Sequence, residues 1–125
     1  MTKIIAIDDS RTVRMFVKMT LGQVGYDVET SDELFDFAPD DDPPADLVLI
    51  DVNMNEFLGT DLVAHIRQNW PGPPLIYLYS ELPEEQLADE VRTCGADGYI
   101  SKRWGYEGLV DEVQRALEAR DEHTG

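Results

Sequence analysis

The chain has 125 residues, 42% of them hydrophobic, and carries 26 acidic against 10 basic residues, for a formal net charge of -16. This length fits one compact domain with a buried core. The negative charge argues against direct binding of nucleic acid or of an anionic membrane, since phosphates would be repelled, and it favours basic partners.

Strand-like and helix-like patterns alternate along the chain, which predicts βαβ units and a mostly parallel sheet. The apolar run at residues 3–7 is too short for a helix and predicts a central strand. Helical spacing of apolar residues over 13–24 predicts the first helix, with Ser10 as its N-cap and Gly25 at its end. Residues 26–29 predict a weaker second strand.

The segment after the second strand has the spacing of a capping box, Thr30 with Glu33, which predicts a short helix carrying Leu34 and Phe37. Residues 39–44, which are rich in aspartate and proline, predict a surface loop.

The second half continues the alternation. Periodic apolar positions predict a helix that Pro71 stops, and another that begins near Pro83 and ends at Gly95. Three further strands are predicted at residues 47–50, 75–79 and 99–101. One face of a final helix is predicted to consist of Tyr106, Leu109, Val110, Val113 and Leu117.

Polar side chains follow the short apolar runs: Asp8, Asp9, Asp51, Ser80 and Lys102. Because the carboxyl ends of parallel strands meet at one edge of a sheet, these groups are expected to share one crevice. Crowded carboxylates favour a hard cation, and Mg²⁺ suits them best. Such a site can hold a phosphoryl group in line with a nucleophilic Asp51 carboxylate, while Ser80 and Lys102 donate to the other phosphoryl oxygens.

Taken singly, each of these residues has an ordinary structural explanation, as a turn former, a helix cap or a solvated surface charge. A calcium loop opening at Asp51, Asn53 and Asn55 is excluded, because Glu56 replaces its glycine and Leu62 its bidentate glutamate.

Together the motifs resemble those of the receiver domain of bacterial two-component response regulators, over nearly the whole chain. The match is carried by Asp8 and Asp9, the segment 51–59, Ser80, and the segment GADGYISK at 95–102. The resemblance, which is to stand-alone receivers of the chemotaxis type, implies a flavodoxin-like α/β fold. That fold is a doubly wound five-stranded parallel sheet of strand order 2-1-3-4-5 with helices on both faces. A single domain is expected at residues 1–120, followed by a frayed tail at 121–125.

The resemblance implies that Asp51 accepts the phosphoryl group. It also implies that Asp9, Asp51 and the backbone carbonyl of Asn53 bind Mg²⁺, with Asp8 acting directly or through a water molecule. The donor would be the phosphohistidine of a histidine kinase or phosphotransfer protein. The chain would act on its own aspartate and would not be a turnover enzyme.

The resemblance further implies a switch, in which the Ser80 hydroxyl moves toward the phosphoryl group and the Tyr99 ring turns inward. Output through a downstream protein target is expected at the neighbouring surface of Trp104 and Tyr106, with one of these rings packed and the other exposed. With Cys94 as its one cysteine and without a membrane-span or signal-peptide pattern, the chain is expected to be cytoplasmic.

Three residues depart from the usual receiver pattern: Asn55, Glu81 and Arg103. A bulky anion at Glu81 predicts slow phosphorylation or slow loss of the phosphate. One alternative is a receiver-like scaffold that signals without phosphorylation. A second is a phosphatase with an aspartyl nucleophile, for which Asn53 lacks the usual acidic group, and a third, flavin binding, lacks a phosphate-cradling loop.

Overall fold

The computed structural model describes residues 1–40, 44–54 and 58–124. Asn55, whose departure from the receiver pattern is noted above, lies outside the described residues. The strands are β1 (Lys3–Ile7), β2 (Asp27–Ser31), β3 (Leu47–Ile50), β4 (Leu75–Ser80) and β5 (Gly98–Ser101). The α-helices are α1 (Arg11–Val24), α2 (Gly59–Asn69), α3 (Glu84–Cys94) and α4 (Gly105–Thr124), with short 3₁₀ turns at Leu34–Asp36 and Lys102–Trp104.

The strands form one parallel sheet in the order β2-β1-β3-β4-β5 within the described ranges. Near the carboxyl ends of the strands, Ile7 pairs with Ile50, Ile50 with Leu78, and Ser80 with Ser101. The carboxyl ends of β1, β3, β4 and β5 therefore lie at the same edge of the sheet. This topology confirms the predicted flavodoxin-like fold.

Alternating side chains of the strands face two separate cores. Ile5 and Ile7 pack with α2 and α3, whereas Ile4 and Ala6 pack with α1 and α4. The sheet therefore carries helices on both faces, as a doubly wound fold requires. No helix within the described residues is both long enough and apolar enough to cross a membrane.

The predicted caps of α1 are confirmed. The Ser10 hydroxyl accepts a hydrogen bond from the Val13 N–H at 3.3 Å, and Gly25 ends the helix with a φ of 110°. Gly95 ends α3 in the same left-handed conformation, which L side chains rarely adopt.

The short helix predicted after β2 is present only as the 3₁₀ turn Leu34–Asp36, and its predicted cap at Thr30 is wrong. Thr30 belongs to β2, which pairs with β1 as far as Ser31, so its backbone is held extended by the strand ladder. The Ser31 hydroxyl, and not that of Thr30, accepts the Glu33 N–H at 3.1 Å. Only the 3₁₀ turn Leu34–Asp36 follows in this segment, although Leu34 is buried as expected.

Helix α4 differs from its prediction at both ends. Tyr106 is 48% exposed and does not join the apolar face that Leu109 and Val113 bury against the sheet. The helix also continues past Arg120 to Thr124, where the sequence predicted a frayed tail.

Candidate functional site

The polar residues at the strand ends line one cavity of about 540 Å³ at the carboxyl edge of the sheet. Asp8 follows β1, Asp51 follows β3, Ser80 ends β4, and Lys102 follows β5. Asp9 and Asn53 line the same cavity. The fold thus brings the predicted acidic, hydroxyl and ammonium groups together because each is attached to the same end of a parallel strand.

Lys102 lies between two buried carboxylates. Its Nζ is 2.7 Å from Asp8 Oδ2 and 3.6 Å from Asp51 Oδ1. Asp8 Oδ2 has no hydrogen bond of good geometry, yet its Coulomb attraction to the ammonium does not require alignment, so we treat the contact as an ion pair. Two buried carboxylates share one ammonium here, which leaves the pair of acids with excess negative charge.

Burial and the excess negative charge both affect the pKa of Asp51. Burial raises the pKa of the Asp51 carboxyl above its ordinary value, and the neighbouring Asp8 charge raises it further. The Lys102 ammonium and a hydrogen bond from the Asn53 N–H, 3.4 Å from Asp51 Oδ1, lower it only in part. A cation in the cavity would relieve this cost.

The donor set suits Mg²⁺. Among the residues that the structure describes, no three acidic, histidine or cysteine side chains form a cluster that could hold a metal ion. Mg²⁺ does not need such a cluster, because it binds through one or two carboxylates and keeps several waters. Asp8, Asp51 and the half-exposed Asp9, with the backbone of Asn53, line this cavity and could supply oxygen ligands of this kind.

The loop after β1 is tied to α1 by contacts that the sequence interpretation missed. The guanidinium of Arg14 donates to the Asp8 carbonyl oxygen at 2.7 Å, and the Ser10 N–H donates to Asp8 Oδ1 at 2.9 Å. Arg14 lies four residues after the N-cap Ser10, on the same side of the helix. This spacing was the available signal for its role in holding Asp8.

Gly59 supports Asp51 from behind. A Cβ at this position would lie 2.0 Å from the Asp51 carbonyl oxygen, a distance that no side chain can occupy. The Gly59 N–H also donates to the Val52 carbonyl at 2.9 Å. The start of α2 can therefore pack directly beneath the Asp51 backbone.

The two predicted switch residues lie on neighbouring strands, Ser80 at the end of β4 and Tyr99 within β5. Ser80 is buried, lines the cavity, and accepts the Leu82 N–H at 3.2 Å through its hydroxyl. Tyr99 is half-buried, and its ring centroid lies 5.9 Å from that of Trp104. Ser80 thus faces the cavity, whereas Tyr99 contacts the predicted output surface.

Of the two predicted surface aromatics, Trp104 is the packed one. Its indole N–H donates to Glu84 Oε2 at 3.4 Å, and its ring packs against the core formed with α4. Tyr106 is the exposed one. The expectation of one packed and one exposed ring is therefore confirmed.

Two of the unusual residues lie at the cavity mouth. Glu81 and Arg103 both line it and are both exposed. The Ser101 hydroxyl accepts the Arg103 N–H at 3.1 Å and so caps the 3₁₀ turn Lys102–Trp104. A proline at this position could not make that bond because it has no N–H.

Comparisons with known proteins identify the family. The chain matches the response regulator receiver domain over residues 4–114. Protein PilG of Pseudomonas aeruginosa is 31% identical over 117 residues, 90% of this chain and 84% of PilG. The transcriptional regulatory protein SpaR of Bacillus subtilis is also 31% identical, over 98% of this chain and 56% of SpaR.

The fold agrees with solved structures. The structure of the chemotaxis protein CheY4 of Vibrio cholerae matches with a TM-score of 0.80 and 30% identity, over 92% of this chain and 98% of that chain. This chain therefore belongs to the response-regulator receiver family, the phosphorylation-based signalling proteins of two-component systems, which confirms the resemblance read from its motifs. The chain spans little more than half the length of SpaR.

Proposed function

We propose that this chain is a phosphorylation-dependent signalling protein that accepts a phosphoryl group on Asp51. The observation that carries the proposal is the placement of Lys102 between buried Asp8 and Asp51, in a cavity that Ser80 also lines. Buried charges left unbalanced in an open cleft are typical of functional sites.

The proposed reaction forms a bond between an Asp51 carboxylate oxygen and phosphorus. The P–N bond of the donor phosphohistidine breaks at the same time, and the imidazole of the donor keeps the electron pair. Lys102 and the Ser80 hydroxyl offset the negative charge on the transferred phosphoryl oxygens. Lys102 would leave Asp8 for these oxygens, a movement that its flexible side chain allows.

Asp8, Asp9, Asp51 and the Asn53 carbonyl would hold Mg²⁺ at this site. When bound, the ion supplies positive charge that neutralises phosphoryl oxygens and lowers the repulsion between the carboxylates. The raised pKa of Asp51 supports this assignment, because its burial beside Asp8 is a cost that a cation offsets.

Output would follow from a change at Ser80. Movement of its hydroxyl toward the phosphoryl group would alter the bond that it accepts from the Leu82 N–H, and the Tyr99 ring would then turn inward. Because Tyr99 contacts Trp104, this movement would alter the surface that Trp104 and the exposed Tyr106 present. The proposed partners are a cytoplasmic histidine kinase or phosphotransfer protein and a downstream protein target.

Incubation with Mg²⁺ and acetyl phosphate, followed by intact mass measurement, tests the proposal. The wild type should gain one phosphoryl group, and Asp51→Asn should gain none. Asp61→Asn is the matched control, because Asp61 is an exposed aspartate on α2 outside the cavity. No gain by the wild type would favour the scaffold that signals without phosphorylation.

A phosphatase reaction has less support. The position two residues after Asp51 holds the amide Asn53, which cannot act as a general acid. Turnover of a phosphate ester by the wild type would revive that alternative.

A further inference from the structure

Tyr79 lies directly beneath the site without lining its cavity. It precedes Ser80 on β4 and points to the opposite face of the sheet, where it is 4% exposed and packs with Val17 and Leu109. Its ring nevertheless reaches the carboxyl edge, since Lys102 Nζ lies 5.6 Å from the ring centroid. That distance is within the range of cation–π attraction.

Lys102 needs such a support. A lysine side chain is flexible, and its ammonium is a point charge without a preferred direction. The closer carboxylate, Asp8 at 2.7 Å, draws the ammonium away from Asp51, which is 3.6 Å distant. A third group that contacts the ammonium from below can hold the ammonium within reach of both carboxylates.

The Tyr79 ring can do this without adding charge. Burial, together with the nearby Asp8 and Glu81 carboxylates, raises the pKa of Tyr79 to about 12. The phenol therefore stays neutral at physiological pH, and its contribution to Lys102 is the negative face of the ring.

We propose that Tyr79 is a positioning residue for Lys102, whose ring holds the ammonium between Asp8 and Asp51 and keeps it available to a phosphoryl group on Asp51. The proposal rests on the proposed function of Asp51. It assigns to β4 two adjacent roles on opposite faces, a hydroxyl at Ser80 and an aromatic support at Tyr79.

A pair of substitutions separates the ring from the hydroxyl. Tyr79→Phe keeps the ring, and Tyr79→Leu removes it while leaving an apolar side chain in the core. Tyr77→Leu is the matched control, because Tyr77 lies two residues earlier on the same face of β4 and packs over Gly98. With acetyl phosphate and Mg²⁺, we expect Tyr79→Leu to slow phosphorylation about fivefold, and the other two to stay within about twofold of wild type.

The contact itself is measurable without phosphorylation. In the wild type and Tyr79→Phe, ring current should shift the Lys102 εCH₂ proton resonances upfield, and Tyr79→Leu should abolish the shift. The proposal is overturned if Tyr79→Leu retains the upfield shift, or if Tyr79→Phe abolishes the shift completely. If the wild type takes up no phosphoryl group but the Lys102 proton shifts are as expected, the proposed function is contradicted. The contact between Tyr79 and Lys102 would still be supported.

A double substitution tests whether Tyr79 acts through Lys102. In a Lys102→Ala background, Tyr79→Leu should cause no further loss of phosphorylation rate. A second loss of about fivefold in that background would show that Tyr79 acts elsewhere, and would overturn its assignment as a positioning residue.

Discussion

At the amino edge of the sheet, the buried ammonium of Lys3 lies 3.1 Å from Glu29, whereas at the carboxyl edge the ammonium of Lys102 lies between Asp8 and Asp51. Glu29 is 47% exposed, so water shares in solvating its charge. Asp8 and Asp51 are both buried. The ammonium at the amino edge therefore faces a hydrated acid, while the ammonium at the carboxyl edge lies between two dehydrated acids.

The same contrast extends to the backbone. At the amino edge, Asp46 accepts the Lys3 N–H at 2.9 Å, and Arg120 donates to its carbonyl at 2.7 Å. These bonds join β1 and α4 to the residue before β3, and the Arg120 guanidinium also lies 3.3 Å from Asp46 Oδ1. At the carboxyl edge the charge is unbalanced, which costs stability and is consistent with the cation and phosphoryl group proposed to bind there. A buried ammonium thus contributes to the structure at one end of the strands, and at the other end it lies in the proposed functional site.

The largest effect is expected from Lys102→Met. Two buried carboxylates would lose their shared cation, so the free energy of unfolding should fall by about 3 kcal/mol in EDTA, measured by urea denaturation. Phosphorylation by acetyl phosphate should slow about 100-fold. Lys18→Met, on the exposed side of α1, is the control, and an equal loss of stability there would contradict the expectation.

Lys3→Met should have a smaller effect at the amino edge. The methionine keeps most of the packing, and the half-exposed Glu29 can be solvated by water, so about 1 kcal/mol of stability should be lost. Phosphorylation should be unchanged. A loss as large as that of Lys102→Met would remove the distinction between the two edges.

Asp51→Asn should stabilise the protein without Mg²⁺, with a melting temperature a few degrees higher at neutral pH. The folded state raises the pKa of Asp51, so it favours the protonated acid, and stability is lost as the pH rises through that pKa. Melting curves of both proteins from about pH 4 to pH 7 should converge at the acidic end, near the ordinary aspartate pKa. A difference independent of pH would mean that ionisation of Asp51 is not its cause.

Glu81→Ala should have the smallest effect, because Glu81 is exposed at the mouth of the cavity and its charge is screened by water and salt. Removing the anion should speed phosphorylation by acetyl phosphate, or loss of the phosphate, by about threefold. Glu85→Ala, an exposed substitution in the first turn of α3, is the control. If both rates of Glu81→Ala equal those of wild type, the unusual anion does not slow the site.

The patterns that could be predicted from the sequence are local ones. Short apolar runs become strands of a parallel sheet, and polar residues at their ends meet at one edge because all the strands run the same way. The caps at Ser10 and Gly25 depend on a few adjacent residues and were also predictable.

The errors have non-local causes. The pattern at Thr30 predicted a helix cap, but hydrogen bonding between β1 and β2 holds Thr30 in an extended strand. That pairing joins residues far apart in the chain. Tyr106 fits the apolar period of α4, yet the way the helix docks on the sheet leaves its ring exposed. Local propensity yields to tertiary contacts when the two disagree.

The amino-acid sequence by itself determined which chemical groups reach the carboxyl edge, since strand polarity and spacing decide where a polar residue falls. The tertiary structure decided how those groups are paired. It placed Lys102 closer to Asp8 than to Asp51, laid the Tyr79 ring beneath the ammonium, and packed Trp104 against Tyr99. Pairings of this kind depend on side-chain directions at the ends of different strands, and those directions are set only when the sheet and its two helical layers are packed together.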